Sequence, residues 1–178
     1  MHFDRALALQ RHPESRGGPV RAVRVRVRRS PDGALAVAYA IESEIDRLRL
    51  PAPRPPRPAD RLWEHTCCEV FVARKGSAAY REFNLAPSGE WAAYAFSRYR
   101  ERAARLDVNE GLDPGIVVRR SPTALELEAT IRLDAGALRL GLSAVIEDAD
   151  GSLSYWALAH PPGKPDFHHT DAFALDLE

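Results

Sequence analysis

A sandwich of two antiparallel sheets, all-β, with about ten strands and one or two short helices, is the fold that the sequence predicts. Three observations carry the prediction. Apolar and polar residues alternate with a period of two, most plainly in Val20-Arg-Ala-Val-Arg-Val-Arg-Val-Arg-Arg29. The alternating segments are short. Turn-forming pairs such as Lys75-Gly76, Ser121-Pro122 and Asp150-Gly151 separate most of them. A length of 178 residues favours a single domain over 1–178, with a core large enough to stand without disulfide or metal staples.

The elements follow in order. After a polar start, residues 20–29 form a strand with arginines on one face, and Ser30-Pro-Asp-Gly33 turns the chain. Leu35, Val37, Tyr39 and Ile41 then line one face of a second strand, making a hairpin. A lone hairpin is marginal in water, so it must join later strands. Its charged arginine face is read as an edge strand guarded against edge-to-edge pairing, in preference to a phosphate contact. Pro51-Ala-Pro-Arg-Pro-Pro-Arg-Pro58 lacks most of its amide donors and is read as a long loop within the domain. Further strands are expected at 67–73, 80–86, 90–98, 115–120, 123–131, 140–148, 153–160 and 170–177. Short helical excursions are expected at Arg98–Val108 and Leu133–Leu138.

Composition narrows the function. Twenty-five basic and 25 acidic residues balance, which argues against a generally basic nucleic-acid binder. No apolar run reaches membrane-spanning length, and the first residues are too interrupted by charge for a secretory core segment. Cys67 and Cys68, adjacent on a strand, leave opposite faces and are poorly placed to pair with each other, so a reducing, cytoplasmic setting is expected.

Strand parity yields the most specific expectation. If Cys68, Val70, Val72, Phe83 and Leu85 face the core, then Glu69, Phe71, Tyr80, Glu82 and Asn84 share the other face of neighbouring strands. Carboxylates and amides satisfy hydroxyl groups, and aromatic faces cover the C–H side of a sugar ring, so this surface suits a polyhydroxylated ligand. The competing reading leaves Glu82 exposed and Glu69 in a structural ion pair.

The stretch from Trp63 to Phe96, with its tryptophan, the strand Cys-Cys-Glu-Val-Phe-Val, Tyr80-Arg-Glu-Phe-Asn84 and Pro87-Ser-Gly89 in that order, resembles the DOMON-like and family 9 carbohydrate-binding-module superfamily. The likeness is closest to its small stand-alone bacterial DOMON-like proteins. It implies a β-sandwich that binds sugar or haem in a cleft on one sheet. Haem-binding relatives use a methionine with a histidine or lysine, and the one methionine here is Met1. No cofactor is therefore expected, and the resemblance leans toward a saccharide-like partner.

The candidate ligand-binding residues are Trp63, His65, Glu69, Tyr80, Glu82, Asn84, Trp91, Trp156, Lys164, Asp166, His168 and His169. Each tryptophan is either a platform for a ring or core packing. The loop Pro161-Pro-Gly-Lys-Pro-Asp-Phe-His-His169 is stiffened by prolines and projects polar groups from a rigid frame, which favours a preorganised site. Its histidines have three readings: turn caps, ligand contacts with His65 across the cleft, or metal ligands, although no metal-binding spacing is present. Cysteine nucleophilic catalysis lacks a strand-elbow-helix context, and Glu69 with Glu82 as a glycosidase pair is a match that many acidic sequences offer. A non-enzymatic binding module leads. A haem or metal redox protein and a structural domain that contacts a protein partner are the alternatives.

Overall fold

The computed structural model describes residues 3–103, 111–133 and 136–178. Its strands are β1 (Phe3–Arg11), β2 (Ala22–Arg29), β3 (Ala34–Glu42), β4 (Cys67–Arg74), β5 (Tyr80–Leu85), β6 (Trp91–Arg98), β7 (Glu101–Arg102), β8 (Val117–Ser121), β9 (Ala124–Arg132), β10 (Leu138–Glu147), β11 (Leu153–Ala157) and β12 (Leu175–Leu177). Single 3₁₀ turns stand at Ile45–Arg47, Leu62–Glu64 and Thr170–Ala172. The expected all-β fold is therefore observed.

Hydrogen bonding runs in the order β7-β6-β5-β4-β10-β11-β1-β2-β3-β9-β8, with β12 also on β10. Strand β1 joins the two halves: Phe3 to Leu9 pair with β2, while Gln10 and Arg11 pair with β11. The halves face each other across one core, in which Val23, Val25 and Val27 of β2 and Leu35, Val37 and Ile41 of β3 meet Val70, Val72, Phe83, Leu140 and Leu142. Each of these positions is the apolar half of a period-two strand, so burying one face of each layer buries nearly all of them. The Tyr39 hydroxyl crosses the core and donates to the Glu69 carbonyl at 2.8 Å, meeting its own need for a partner.

The arginine strand is corrected. β2 lies between β1 and β3 rather than at an edge. Arg24, Arg26 and Arg28 face solvent, where Arg26 pairs with Asp4 and Arg24 with Glu42, while Arg29 at the strand's end is buried and donates to the Gly136 carbonyl at 2.9 Å. β1 is the strand that covers it, and the sequence pattern hides β1 because only Leu9 of its residues is fully buried. Of the expected helical excursions, Glu101 and Arg102 form β7 and Leu138 opens β10, while 104–110 and 134–135 lie outside the described residues, as does Met1. The expected strand at 170–177 is a 3₁₀ turn followed by β12, because the His169 side chain accepts from the Asp171 amide and caps the turn.

The outer face of the β4–β5–β6–β10 layer is covered. A second apolar cluster of Phe71, Ala73, Tyr80, Phe96, Val145, Ala157, Phe167 and Phe173 lies there, under the loop that follows β11. Gly141 lets this loop sit close: a Cβ at that position would come within 3.3 Å of both Phe71 Cβ and the Ala172 carbonyl oxygen. Cys67 and Cys68 are free and buried. Among the described residues, no helix is long and apolar enough to cross a membrane.

Candidate functional site

Register places the site. Glu69 of β4 lies opposite Asn84 of β5 and Ser143 of β10, and Glu82 of β5 lies opposite Phe71 of β4 and Tyr94 of β6. The face predicted from parity is present: Phe71 and Tyr80 join the outer cluster, while Val70, Val72, Phe83 and Leu85 join the inner core. It is more deeply covered than an open sheet, since Glu69, Glu82 and Asn84 are all buried.

Above this face opens a cleft of about 360 Å³. Glu69, Glu82 and Val145 form its sheet side, and Trp63, Phe96, Tyr155 and Phe167 supply aromatic surface. Arg100 and Arg102 line one side, Pro165 and His168 another. Trp63 arrives on the 3₁₀ turn after the proline-rich loop. That loop is fastened along β6 by the Arg54 amide donating to the Ser88 carbonyl, the Trp91 amide to Arg57 and the Ala59 amide to Trp91. Arg61, with φ of 61°, turns the chain just before it, and its guanidinium grips Glu64. The indole then meets Tyr94 edge-on at 5.7 Å, and the Tyr94 hydroxyl donates to Asp60.

The acids are poised by burial. Burial, and then the neighbouring Glu82 charge, push the Glu69 carboxyl well above its ordinary range, and the Ser143 hydroxyl at 3.4 Å offsets this only in part. Burial also raises Glu82, opposed by the Asn84 amide, which donates to Oε1 at 2.9 Å, and by Arg102 and Arg100. Asn84 Oδ1 is buried with no hydrogen-bond partner among the described residues. Such an acceptor is costly when left unmatched, and it lies beneath the acids rather than on the cleft surface.

The covering loop is anchored from the β6–β7 turn. Asp166 accepts from the Tyr99 hydroxyl at 2.6 Å, from Arg100 Nη2 at 2.9 Å and from the His168 amide at 3.1 Å. Burial works against its charge, yet the Tyr99 and Arg100 hydrogen bonds outweigh that and hold Asp166 below the usual carboxylate range. Behind it, Tyr80 Oη lies 2.8 Å from His168 Nδ1 and accepts from the Arg100 amide. With Tyr80 donating to Nδ1, the imidazole carries its proton on Nε2, which stands 3.6 Å from Glu82 Oε2. Burial, reinforced by Arg100, pulls His168 down to about 4, so the ring is neutral near pH 7.

Of the sequence-predicted residues, Trp63, Glu69, Glu82 and His168 line the cleft, and Tyr80, Asn84 and Asp166 buttress them. The others stand elsewhere. Trp91 and Trp156 belong to the inner core, because their strand parity matches that of Leu85 and Ala144, their cross-strand partners. His65 is not across the cleft; its Nδ1 lies 2.7 Å from Glu147 in a separate hollow with Arg49. Lys164 is exposed and lies outside the cleft, and His169 caps the 3₁₀ turn beside a neighbouring hollow. His160 bonds the Gln10 carbonyl at 2.8 Å. These histidines diverge to separate partners, and no group of three or more metal-ligand side chains converges among the described residues.

Phe96, Tyr155, Phe167, Arg100 and Arg102 complete the cleft without having been singled out from sequence. Phe96 was within reach, since register with Tyr80 carries the same parity to β6. The arginines lie where a helix was expected.

No protein-family model matches the chain, and no curated protein sequence matches it. Among solved structures it is similar to the crystal structure of a putative carbohydrate-binding protein from Bacteroides uniformis, with a TM-score of 0.66 and 16% sequence identity. That alignment covers 95% of this chain and 83% of the other. At this identity the likeness is one of fold.

Proposed function

We propose that this protein is a non-enzymatic binding module, a single DOMON-like sandwich domain that takes a saccharide or a similarly hydroxylated small ligand in the cleft over β4, β5 and β10. One observation carries the reading: the acids Glu69 and Glu82, with the unmatched Asn84 acceptor behind them, form a polar floor between aromatic walls. Hydroxyl groups can both donate to and accept from such a floor, while Trp63 or Phe96 covers the C–H face of a sugar ring. Net charge of zero and a concave, partly apolar site favour a small neutral ligand over nucleic acid or a flat protein contact. The description of the Bacteroides uniformis protein points the same way. Free, buried Cys67 and Cys68 agree with a reducing compartment.

Isothermal titration of the protein with a panel of mono- and disaccharides tests the proposal. Saturable binding that falls about tenfold or more in Glu82→Gln is expected, since a buried charge-assisted contact is lost. No saturable response to any sugar would remove the saccharide reading.

A further inference from the structure

A second hollow, of about 540 Å³, adjoins the cleft, and His168 lines both. Its character differs. Tyr80, Phe173, Tyr99, Ala73 and Ala78 line it, and no carboxylate does among the described residues. The Tyr80 and Phe173 rings meet edge-on at 5.5 Å, and Tyr80 stacks on Phe96, which belongs to the cleft, at 4.7 Å. The aromatic surface is thus continuous from one cavity to the other. Arg139 also reaches the hollow, but it donates to the Phe173 carbonyl at 2.8 Å and lies 3.6 Å from Asp176, so its charge already has a counterpart.

Tyr99 provides an independent sign. It is 55% exposed, one of two large apolar side chains that stand so open among the described residues. Its hydroxyl is held by Asp166, so the exposed ring is fixed in place. A rigid, wet aromatic face is a preorganised contact for another ring. Small residues at the β4–β5 turn keep the entrance clear, since Gly76, Ser77 and Ala78 carry little side chain.

We propose that this hollow takes the aromatic aglycone of a glycoside whose sugar lies in the cleft, which makes aryl glycosides the ligand class. The inference rests on the saccharide reading of the cleft. The polar cavity meets hydroxyl groups, the apolar hollow meets a ring, and the two join at His168, where a single molecule can occupy both.

Matched pairs of methyl and 4-nitrophenyl glycosides of glucose, galactose, mannose, xylose and N-acetylglucosamine are titrated against the wild type, Ala78→Trp and Tyr99→Ala. In a parallel arm, 4-nitrophenol alone is followed by ligand-observed NMR. For at least one sugar, the aryl glycoside is expected to bind about tenfold tighter than its methyl partner to the wild type. That ratio is expected to fall toward one when Ala78→Trp fills the hollow or Tyr99→Ala removes its ring. Equal binding of aryl and methyl partners by the wild type overturns the aglycone site and leaves the cleft reading standing. A ratio that persists in both variants overturns this placement. If no glycoside binds, the cleft reading and the aglycone inference fall together, and saturable 4-nitrophenol binding that Ala78→Trp abolishes would identify the hollow as an aromatic site of another kind.

Discussion

Tyr80 Oη and His168 Nδ1 stand 2.8 Å apart, so one hydrogen bond fastens the covering loop to the strand that bears Glu82. The same hydroxyl accepts from the Arg100 amide and thereby links the loop to the β6–β7 turn as well. Tyr80→Phe keeps the ring that stacks on Phe96 and removes only this junction. It is expected to lower stability by about 1 kcal/mol in urea denaturation. Amide exchange should rise at 166–173 while remaining unchanged in β2 and β3. Unchanged exchange in the loop would mean that apolar packing alone seats it.

Acid should weaken the protein through His168. Its folded value of about 4 lies below the ordinary 6.5, so the folded state favours the neutral ring. The resulting stability is fully present above pH 6.5 and is lost as pH falls toward 4, at up to about 1.4 kcal/mol per pH unit. Asp166 faces the ring and opposes the shift, while Arg100 and Arg102 support it. Glu69 and Glu82 act in the opposite sense, so the difference between wild type and His168→Gln is the informative quantity. Denaturation curves from pH 4 to 8 should show wild type losing on the order of 3 kcal/mol relative to the variant as pH falls. A pH-independent difference would place the imidazole's titration near its ordinary value.

Glu69 gives the reverse dependence. Its folded value is raised, so its contribution is full below pH 4.5 and declines as pH rises toward the folded value, by up to about 1.4 kcal/mol per unit. Glu69→Gln keeps the shape without the titration. The variant should therefore gain on wild type in urea denaturation as pH rises from 4.5 toward the folded value. A flat difference over that range would show that the carboxyl ionises near its usual value.

Two tryptophans with similar prospects in the sequence should behave differently. Trp91→Ala opens a cavity in the inner core and is expected to cost about 3–5 kcal/mol. Trp63→Ala, at the half-buried edge of the cleft, should cost about 1 kcal/mol or less and instead weaken saccharide binding about tenfold. Calorimetric titration beside chemical denaturation checks both; a large stability loss at Trp63 with binding intact would assign that ring to packing.

The sequence by itself determined the strand periods and, from Cys67 to Leu85, which side chains share a face. This works because backbone geometry sends successive side chains to opposite sides, so one buried apolar run assigns the partners of its other face. The same rule could have placed Trp91 with Leu85 in the core, once β5 and β6 were paired. Only the tertiary structure decided that β2 is interior, because β1, whose apolar pattern is weak, supplies the hydrogen bonds that cover its edge. It also decided which residues of the covering loop matter. Asp166, His168, Lys164 and His169 are near neighbours in sequence, yet contacts with Tyr80, Tyr99 and Arg100 set His168 in the cleft with Asp166 bracing it, while His169 caps the 3₁₀ turn at the side of the second hollow and Lys164 stays in solvent. Irregular backbone has no fixed period, so its side-chain directions follow from long-range hydrogen bonds that local sequence does not encode.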